Sequence, residues 1–542
     1  MDAGPSLRTP SVGFVSSTLP LTRLGRAWWA SVGLLLVGWL LVFNQQRLEW
    51  TVNPTYAYGW TVPLLAGYLF YERWRSRPRT HEPAVGGWWL ILPALLLLSY
   101  LPVRVVQEAN PDWVKINWIM AGLLIGLSGC AVFALVGARG LLYCAFPILF
   151  CLTALPWPVW IEDNVTKSLM HWNASAVAEV LTMAGYPAIA KGNLIQVGAS
   201  WVNVEEACSG IRSLQTAFMV SLFFGEFYRL SWAARGFLML SSFAAAFVLN
   251  FGRTVVLTYL GGVAGNETME KWHDTVGNIT MILCLVALWL LAEIFQRTRS
   301  RPWVGAPTAA VSPRRAPFPF WFAIGGVVWF GASEAATSGW YAYHERNAAP
   351  PLAWNVNWPA DLPDYRQQTL TERSQALLKY NEGHIASWKT DEGFHWQMYY
   401  LRWLPGRISK FLAGGHYPTV CLPASGLRLV SETGLFVCQV GALAIPFQTY
   451  LFDDGGHDVY VFHAIFEENQ ESYDNRVVYR QASSMERIRS VLRGERNLGQ
   501  RVVGIAMRGP LDATEARATL ESTLARIVTV ERPAHRTAAV SR

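Results

Sequence analysis

The stretch VEEACSGIRSLQTAFMVSLFFGEF, residues 204–227, runs from charge through small residues into an apolar segment. Its part from 210 to 227 approaches the length of about 20 residues that carries a helix across a bilayer. It reads as a membrane helix with Cys208 at its mouth. That is a good place for a nucleophile, because the thiolate is the reactive species and positive charge or a helix N-terminus stabilises it.

Outward from this helix the chain keeps the same character. Of 542 residues, 52% are hydrophobic and 15% charged, and 26 are Trp. Further apolar stretches lie at 27–43, 56–71, 88–106, 118–136, 140–155, 236–260, 275–295 and 320–336, of which 56–71 and 140–155 are short. The first lacks a small-residue cleavage site and reads as an anchor rather than a signal peptide.

Loop charges set the expected orientation, since Lys and Arg gather in cytoplasmic loops. Basic residues stand at Arg23 and Arg26, at Arg73, Arg75, Arg77 and Arg79, at Arg139, at Arg229 and Arg235, and at Arg297, Arg299 and Arg301. They alternate with the Arg-poor loop 107–117 and with 45–55. The spacing predicts a cytoplasmic N-terminus and an outer C-terminal tail in a multi-pass inner-membrane protein. The net charge of +7 is mostly this topological signal, not a nucleic-acid surface.

The expected fold is mainly α: a polytopic membrane helical bundle of about eight helices plus one linking helix, followed by a smaller extracytoplasmic α+β domain. The corresponding segments are a cytoplasmic N-terminus 1–26, the bundle 27–296, a basic linker 297–319, a ninth helix 320–337 and the outer domain 338–542. In the tail, 394–400, 458–466 and 501–507 read as strands. Stretches 484–493 and 512–527 have helical periodicity, the second opened by Asp512 as N-cap. Cys130, Cys144, Cys151 and Cys284 lie in apolar spans as small hydrophobes. Cys421 and Cys438 fall in the outer domain, where a disulfide is open to them. His457 and His463 read as strand histidines.

Cys208 needs partners, and two other segments deliver them. The helix through Asn250 and Arg253 emerges near Gly261, which puts Arg253 roughly 10 Å below its exit at 1.5 Å per residue. The next outer loop carries His273 to the start of the following helix. Each residue alone has a plainer reading: a structural thiol, an arginine snorkelling to the interface, a surface histidine. Together, nucleophile, base and cationic donor are the parts of a thiol acyl-transfer site. No cofactor or metal is expected for it.

The run from Phe146-Pro147 through Leu155-Pro156-Trp157-Pro158, with Gly185-Tyr186-Pro187, Gly192-Asn193 and Glu206-Ala207-Cys208-Ser209-Gly210-Ile211-Arg212-Ser213, resembles the exosortase/archaeosortase family. So do 56–63, where Tyr58 stands in place of the His that many members carry, Asn250 with Arg253, and His273 with Gly277. The resemblance implies a membrane cysteine transpeptidase with Cys208, Arg253 and His273 as catalytic residues. Its implied partners are secreted proteins whose C-terminal sorting tail has a Pro-Glu-Pro-like motif, a transmembrane helix and a basic end. The tail would be cut through a thioester and the protein passed to a surface acceptor, with hydrolysis as the degenerate outcome. In the outer domain, Met398-Tyr399-Tyr400 and His416-Tyr417-Pro418-Thr419-Val420-Cys421-Leu422-Pro423 with Gly426 are similar to the exosortase-associated C-terminal domain. His416 and Cys421 could serve there as a second thiol site, as metal ligands or structurally. A transporter or assembly factor for exported polysaccharide is the rival from another class, to which many helices and intramembrane polar groups are suited.

Overall fold

The computed structural model describes residues 25–77, 86–297, 316–347 and 353–531, apart from 193, 199, 204–209, 363, 371–374, 376–377, 391–392, 415–417, 420–421, 423–426, 468–483, 497 and 510–511. Residues 1–24, most of the basic linker, Cys208, His416 and Cys421 therefore lie outside the described residues.

The first half of the chain is helical: α1 (Arg26–Val52), α2 (Val62–Arg75), α3 (Ile91–Ala109), α4 (Val114–Phe150), α5 (Val159–Met183), α6 (Ile211–Phe227), α7 (Trp232–Ala264), α8 (Asn266–Arg297) and, after the linker, α9 (Phe320–Asn347). Among the described residues five stretches are long and apolar enough to cross a membrane, Arg26–Val52, Gly87–Ala109, Val114–Ala154, Trp232–Ala264 and Glu267–Arg297. The nine spans read from sequence thus include three helices below that standard. With 14 and 17 residues, α2 and α6 are short, and α9 is diluted by Gly, Ser, Thr and Glu334.

Helix α4 is an antiparallel pair of legs. Gly137, at φ 68° and ψ −174°, takes a conformation open essentially to glycine alone. Trp118 Nε1 near one terminus donates to Pro156 O beyond the other at 2.9 Å. Val132, Leu135 and Val136 pack on Cys144 and Ile148 across the turn.

The two ends of the bundle differ in chemistry. At one end Glu226 pairs with Arg73 and, at 2.9 Å, with Arg235. Beside them Arg229 donates to Ser76 Oγ at 2.6 Å, and the Tyr143 hydroxyl lies 2.9 Å from the same atom. This gathers the ends of α2 and α6, the start of α7 and the tip of the α4 hairpin. The opposite end carries the candidate site.

Between the apolar runs 140–155 and 210–227 the described residues are structured. Helix α5 leads into a small antiparallel sheet, β1 (Ala188–Lys191), β2 (Leu194–Val197) and β3 (Ser200–Asn203). Ala174, Val177 and Leu181 of α5 bury Ile195 and Val197 between themselves and Phe251, Val255 and Tyr259 of α7.

The C-terminal half is strand-rich. A seven-stranded antiparallel sheet has the order β5 (Arg366–Gln368), β6 (Glu382–Lys389), β7 (His395–Trp403), β11 (Gln500–Arg508), β10 (Asp458–Glu467), β9 (Leu443–Asp453), β8 (Arg428–Val440). Trp388, Trp396, Phe447 and Phe462 from the sheet bury Ala516, Leu520 and Leu524 of α12 (Ala513–Ile527). Asp512 caps that helix, accepting from the amides of Thr514 and Glu515 at 2.8 Å each. Strand β12 (Val528–Glu531) returns to pair with β4 (Ala353–Val356). Short helices α10 (Ser409–Ala413) and α11 (Ser484–Leu492) complete the unit. His463 is buried in β10, but His457 sits in the turn before it, where two glycines bend the chain. Cys438 is a buried free thiol, so it forms no disulfide with Cys421.

This unit sits on the bundle through charge. Arg487 reaches Asp112 at 3.0 Å, Arg496 reaches Glu108 at 3.0 Å and Glu345 at 2.7 Å, and Trp340 Nε1 donates to Val491 O at 3.1 Å. On another side Lys191 of β1 lies 3.5 Å from Asp454 in the β9–β10 turn.

Candidate active site

The site is built where α6, α7 and α8 meet at the end away from the basic cluster. Gly210 opens α6 with φ 89°, a left-handed conformation. It also touches α7, since a Cβ there would lie 2.8 Å from Asn250 Nδ2. The backbone two residues beyond Cys208 is thus held against the side chain that stands one helical turn before Arg253.

Arg253 projects from α7 toward α8, where its Nη2 lies 2.9 Å from His273 Nε2. His273 is 6% exposed. Its other nitrogen, Nδ1, lies 3.1 Å from Asp274 Oδ1, whose side chain faces solvent. A guanidinium carries only donors, so the imidazole accepts at Nε2. His273 belongs to a helix and not to a loop: α7 runs to Ala264, Gly265 alone turns the chain at φ 88°, and α8 begins at Asn266. The polar turns 266–274 continue the helix beyond the apolar run that marks the bilayer.

Buried polar groups fix this end of the bundle. Asn173 Nδ2 of α5 donates to Thr254 Oγ1 at 2.8 Å, and Thr254 donates to Asn250 O at 3.0 Å. Tyr56, 1% exposed, accepts at its hydroxyl from Trp157 N at 2.8 Å and from Gln215 Nε2 at 3.2 Å. Tyr58 donates to Thr153 O at 3.1 Å, tying the turn after α1 to the turn that follows α4. At the exposed rim Arg212 Nε donates to Pro54 O at 2.7 Å. The buried groups among these cost free energy when unpaired, so together they define one register for α5, α6 and α7.

Of the three residues singled out in the sequence, Arg253 and His273 are brought into contact, and Cys208 lies in 204–209 outside the described residues. His416 and Cys421 lie outside them as well. The sequence assigned no role to Asp274 or to Tyr56 of the 56–63 motif and did not mark Asn173; the adjacency of Asp274 to His273 was a usable signal. Sequence reasoning also passed over a largely buried pair between helices: Arg104 of α3 meets Glu334 of α9 at 2.9 Å, with Tyr100 donating to the same carboxylate at 2.7 Å. Among the described residues no three His, Cys, Asp or Glu side chains converge as metal ligands would.

Residues 50–290 match the family described as transmembrane exosortase. Comparison with curated proteins and with solved structures gives no match.

Proposed function

We propose, on the match of residues 50–290 to the transmembrane exosortase family, that this chain is an integral membrane sorting enzyme acting on secreted proteins with C-terminal tails, a cysteine transpeptidase using Cys208, Arg253 and His273. The observation that carries the reading is the Arg253–His273 contact at 2.9 Å between α8 and α7, the helix that Gly210 touches. Two residues of chain span at most about 7 Å, which keeps Cys208 close to that glycine.

The chemistry follows from the groups. The Cys208 thiol gives its proton to His273 Nε2 while sulfur bonds to the scissile carbonyl carbon. Arg253 gives up its hydrogen bond to Nε2 as that proton arrives and donates instead to the oxyanion that forms. The C–N bond breaks, the leaving amine takes the proton from His273, and a thioester to Cys208 remains. An acceptor amine attacks that thioester, the C–S bond breaks, and the thiol is restored as the new amide forms. Water in place of the amine gives hydrolysis.

The basic end of the bundle faces the cytoplasm in this reading, as the loop charges require. A substrate tail with a transmembrane helix and a basic end lies parallel to the bundle and presents its Pro-Glu-Pro-like motif at the outer end. The strand-rich unit 353–531 stands on that outer side as an exosortase-associated domain.

The test is covalent trapping. Purified protein incubated with a tailed substrate and no acceptor should give an adduct that hydroxylamine cleaves, mapped by mass spectrometry to Cys208. An adduct on Cys421, or intact processing with no adduct on any cysteine, overturns the assignment.

A further inference from the structure

The two nitrogens of the His273 ring face opposite partners. Nε2 accepts from Arg253 at 2.9 Å, so in the neutral ring the proton sits on Nδ1, which faces Asp274 Oδ1 at 3.1 Å. A carboxylate offers only acceptors, and the match is complete. We propose that Asp274 is a positioning residue: by accepting from Nδ1–H it reinforces the tautomer that the Arg253 donor requires and keeps Nε2 turned toward Arg253. This rests on the thiol-transfer reading above.

The second contribution is charge. Imidazolium must form beside the Arg253 guanidinium when the thiol ionises, and like charges oppose that. Arg212 of α6 lies within electrostatic reach of Arg253 and of Asp274. Asp274 supplies the neighbouring anion that favours imidazolium. Its helix also carries Glu267, Glu270 and Lys271 by sequence, while Glu205 and Glu206 lie in 204–209, outside the described residues. Asp274 is the group that meets Nδ1, at 3.1 Å. Its side chain is 97% exposed, so water partly replaces it when it is lost, and the effect is smaller than for a buried orienting carboxylate.

The test reads the ring directly. In full-length protein labelled with 15N-histidine, the His273 signal is identified by its loss in His273→Gln. Above its titration the wild-type ring should be protonated at Nδ1 and bare at Nε2. Asp274→Asn keeps an acceptor oxygen without charge, so the tautomer should hold while the acid limb of the kcat/KM profile moves to lower pH. Asp274→Ala leaves Arg253 donating to Nε2, so the tautomer should be held less tightly, the ring should turn more freely and kcat should fall about tenfold at unchanged KM, since orientation and not substrate binding is lost. An Nε2–H ring in the wild type, or an Asp274→Ala protein with unchanged tautomer and pH profile, overturns the proposal. Processing that survives Cys208→Ala would sink the thiol reading instead, and the tautomer measurement, made without substrate, separates the two failures.

Discussion

Arg253 and His273 face each other across the α7–α8 hairpin with Nη2 and Nε2 at 2.9 Å. The guanidinium thus occupies the nitrogen that must receive the thiol proton, and it is placed to move onto the oxyanion as that proton arrives. Arg253→Lys keeps the charge but loses the planar fork, so it should lower tail cleavage by about 100-fold, as loss of an oxyanion donor does. His273→Ala should leave substrate uncut. Normal processing by either variant, followed by gel shift of a tailed substrate, would remove that residue from the mechanism.

Gly210 should tolerate no side chain. At φ 89° an alanine is strained, and its Cβ would lie 2.8 Å from Asn250 Nδ2. Gly210→Ala is expected to abolish processing while far-UV circular dichroism stays unchanged. Adding Asn250→Ala opens the space but leaves the backbone strain of roughly 1–2 kcal/mol, so only partial recovery should follow. Full activity of the single variant would mean that the turn after Cys208 moves freely.

Gly137 makes the reversal of α4. Its φ of 68° with ψ of −174° costs a residue with a Cβ about 1–3 kcal/mol. Gly137→Val should lower the unfolding temperature in detergent and reduce yield, with no specific effect on the catalytic rate of the folded fraction. An unchanged melting curve would show that the legs are held without this turn.

The sequence exposed some of these features and hid others for definable reasons. Apolar runs mark helices because a bilayer selects by composition, and the two legs of α4 are visible as separate runs on either side of Arg139. Asp512 is legible as a cap because its side chain acts on its own neighbours. Helix α5 was hidden: Glu162, Asp163, Asn164, Lys167 and His171 break its apolar pattern, and its stability comes from β2 and α7, elements remote in sequence. The helical setting of His273 was hidden likewise, since polar turns beyond the apolar run look like loop. Arg253 and His273 could be assigned to one end from spacing, but their contact depends on the rotation of α7, which the Asn173–Thr254 hydrogen bond helps to set.

Cys438 should be silent in the folded protein. Burial, with Glu521 adding to it, pushes its thiol from 9.0 up to about 12. At pH 8 it should resist maleimide in native protein and react after unfolding, so labelling there reports on other cysteines. Because the folded thiol holds its proton more tightly than the unfolded one, its contribution to stability is present below pH 9 and is lost as pH rises toward 12. Rapid native labelling of Cys438, read by peptide mass spectrometry, would contradict its burial.

The attachment of the strand-rich unit to the bundle offers a charge-swap test. Arg487 of α11 lies 3.0 Å from Asp112, both side chains are largely buried, and Asn110 Nδ2 donates to Arg487 O at 3.1 Å. Removing one partner strands the other charge, which costs on the order of 3–5 kcal/mol where burial is deep and less here. Arg487→Asp places two carboxylates together and should raise hydrogen exchange in Ser484–Leu492 and across the α3–α4 turn. Because each guanidinium–carboxylate pair depends on having opposite signs and not on which element carries which, Arg487→Asp with Asp112→Arg should recover most of the protection. The backbone bond from Asn110 survives the swap and keeps the register. Exchange that is unchanged in the single variant would show that the neighbouring Arg496 contacts to Glu108 and Glu345 suffice to hold the junction, and a double variant as labile as the single would show that packing, not charge, sets it.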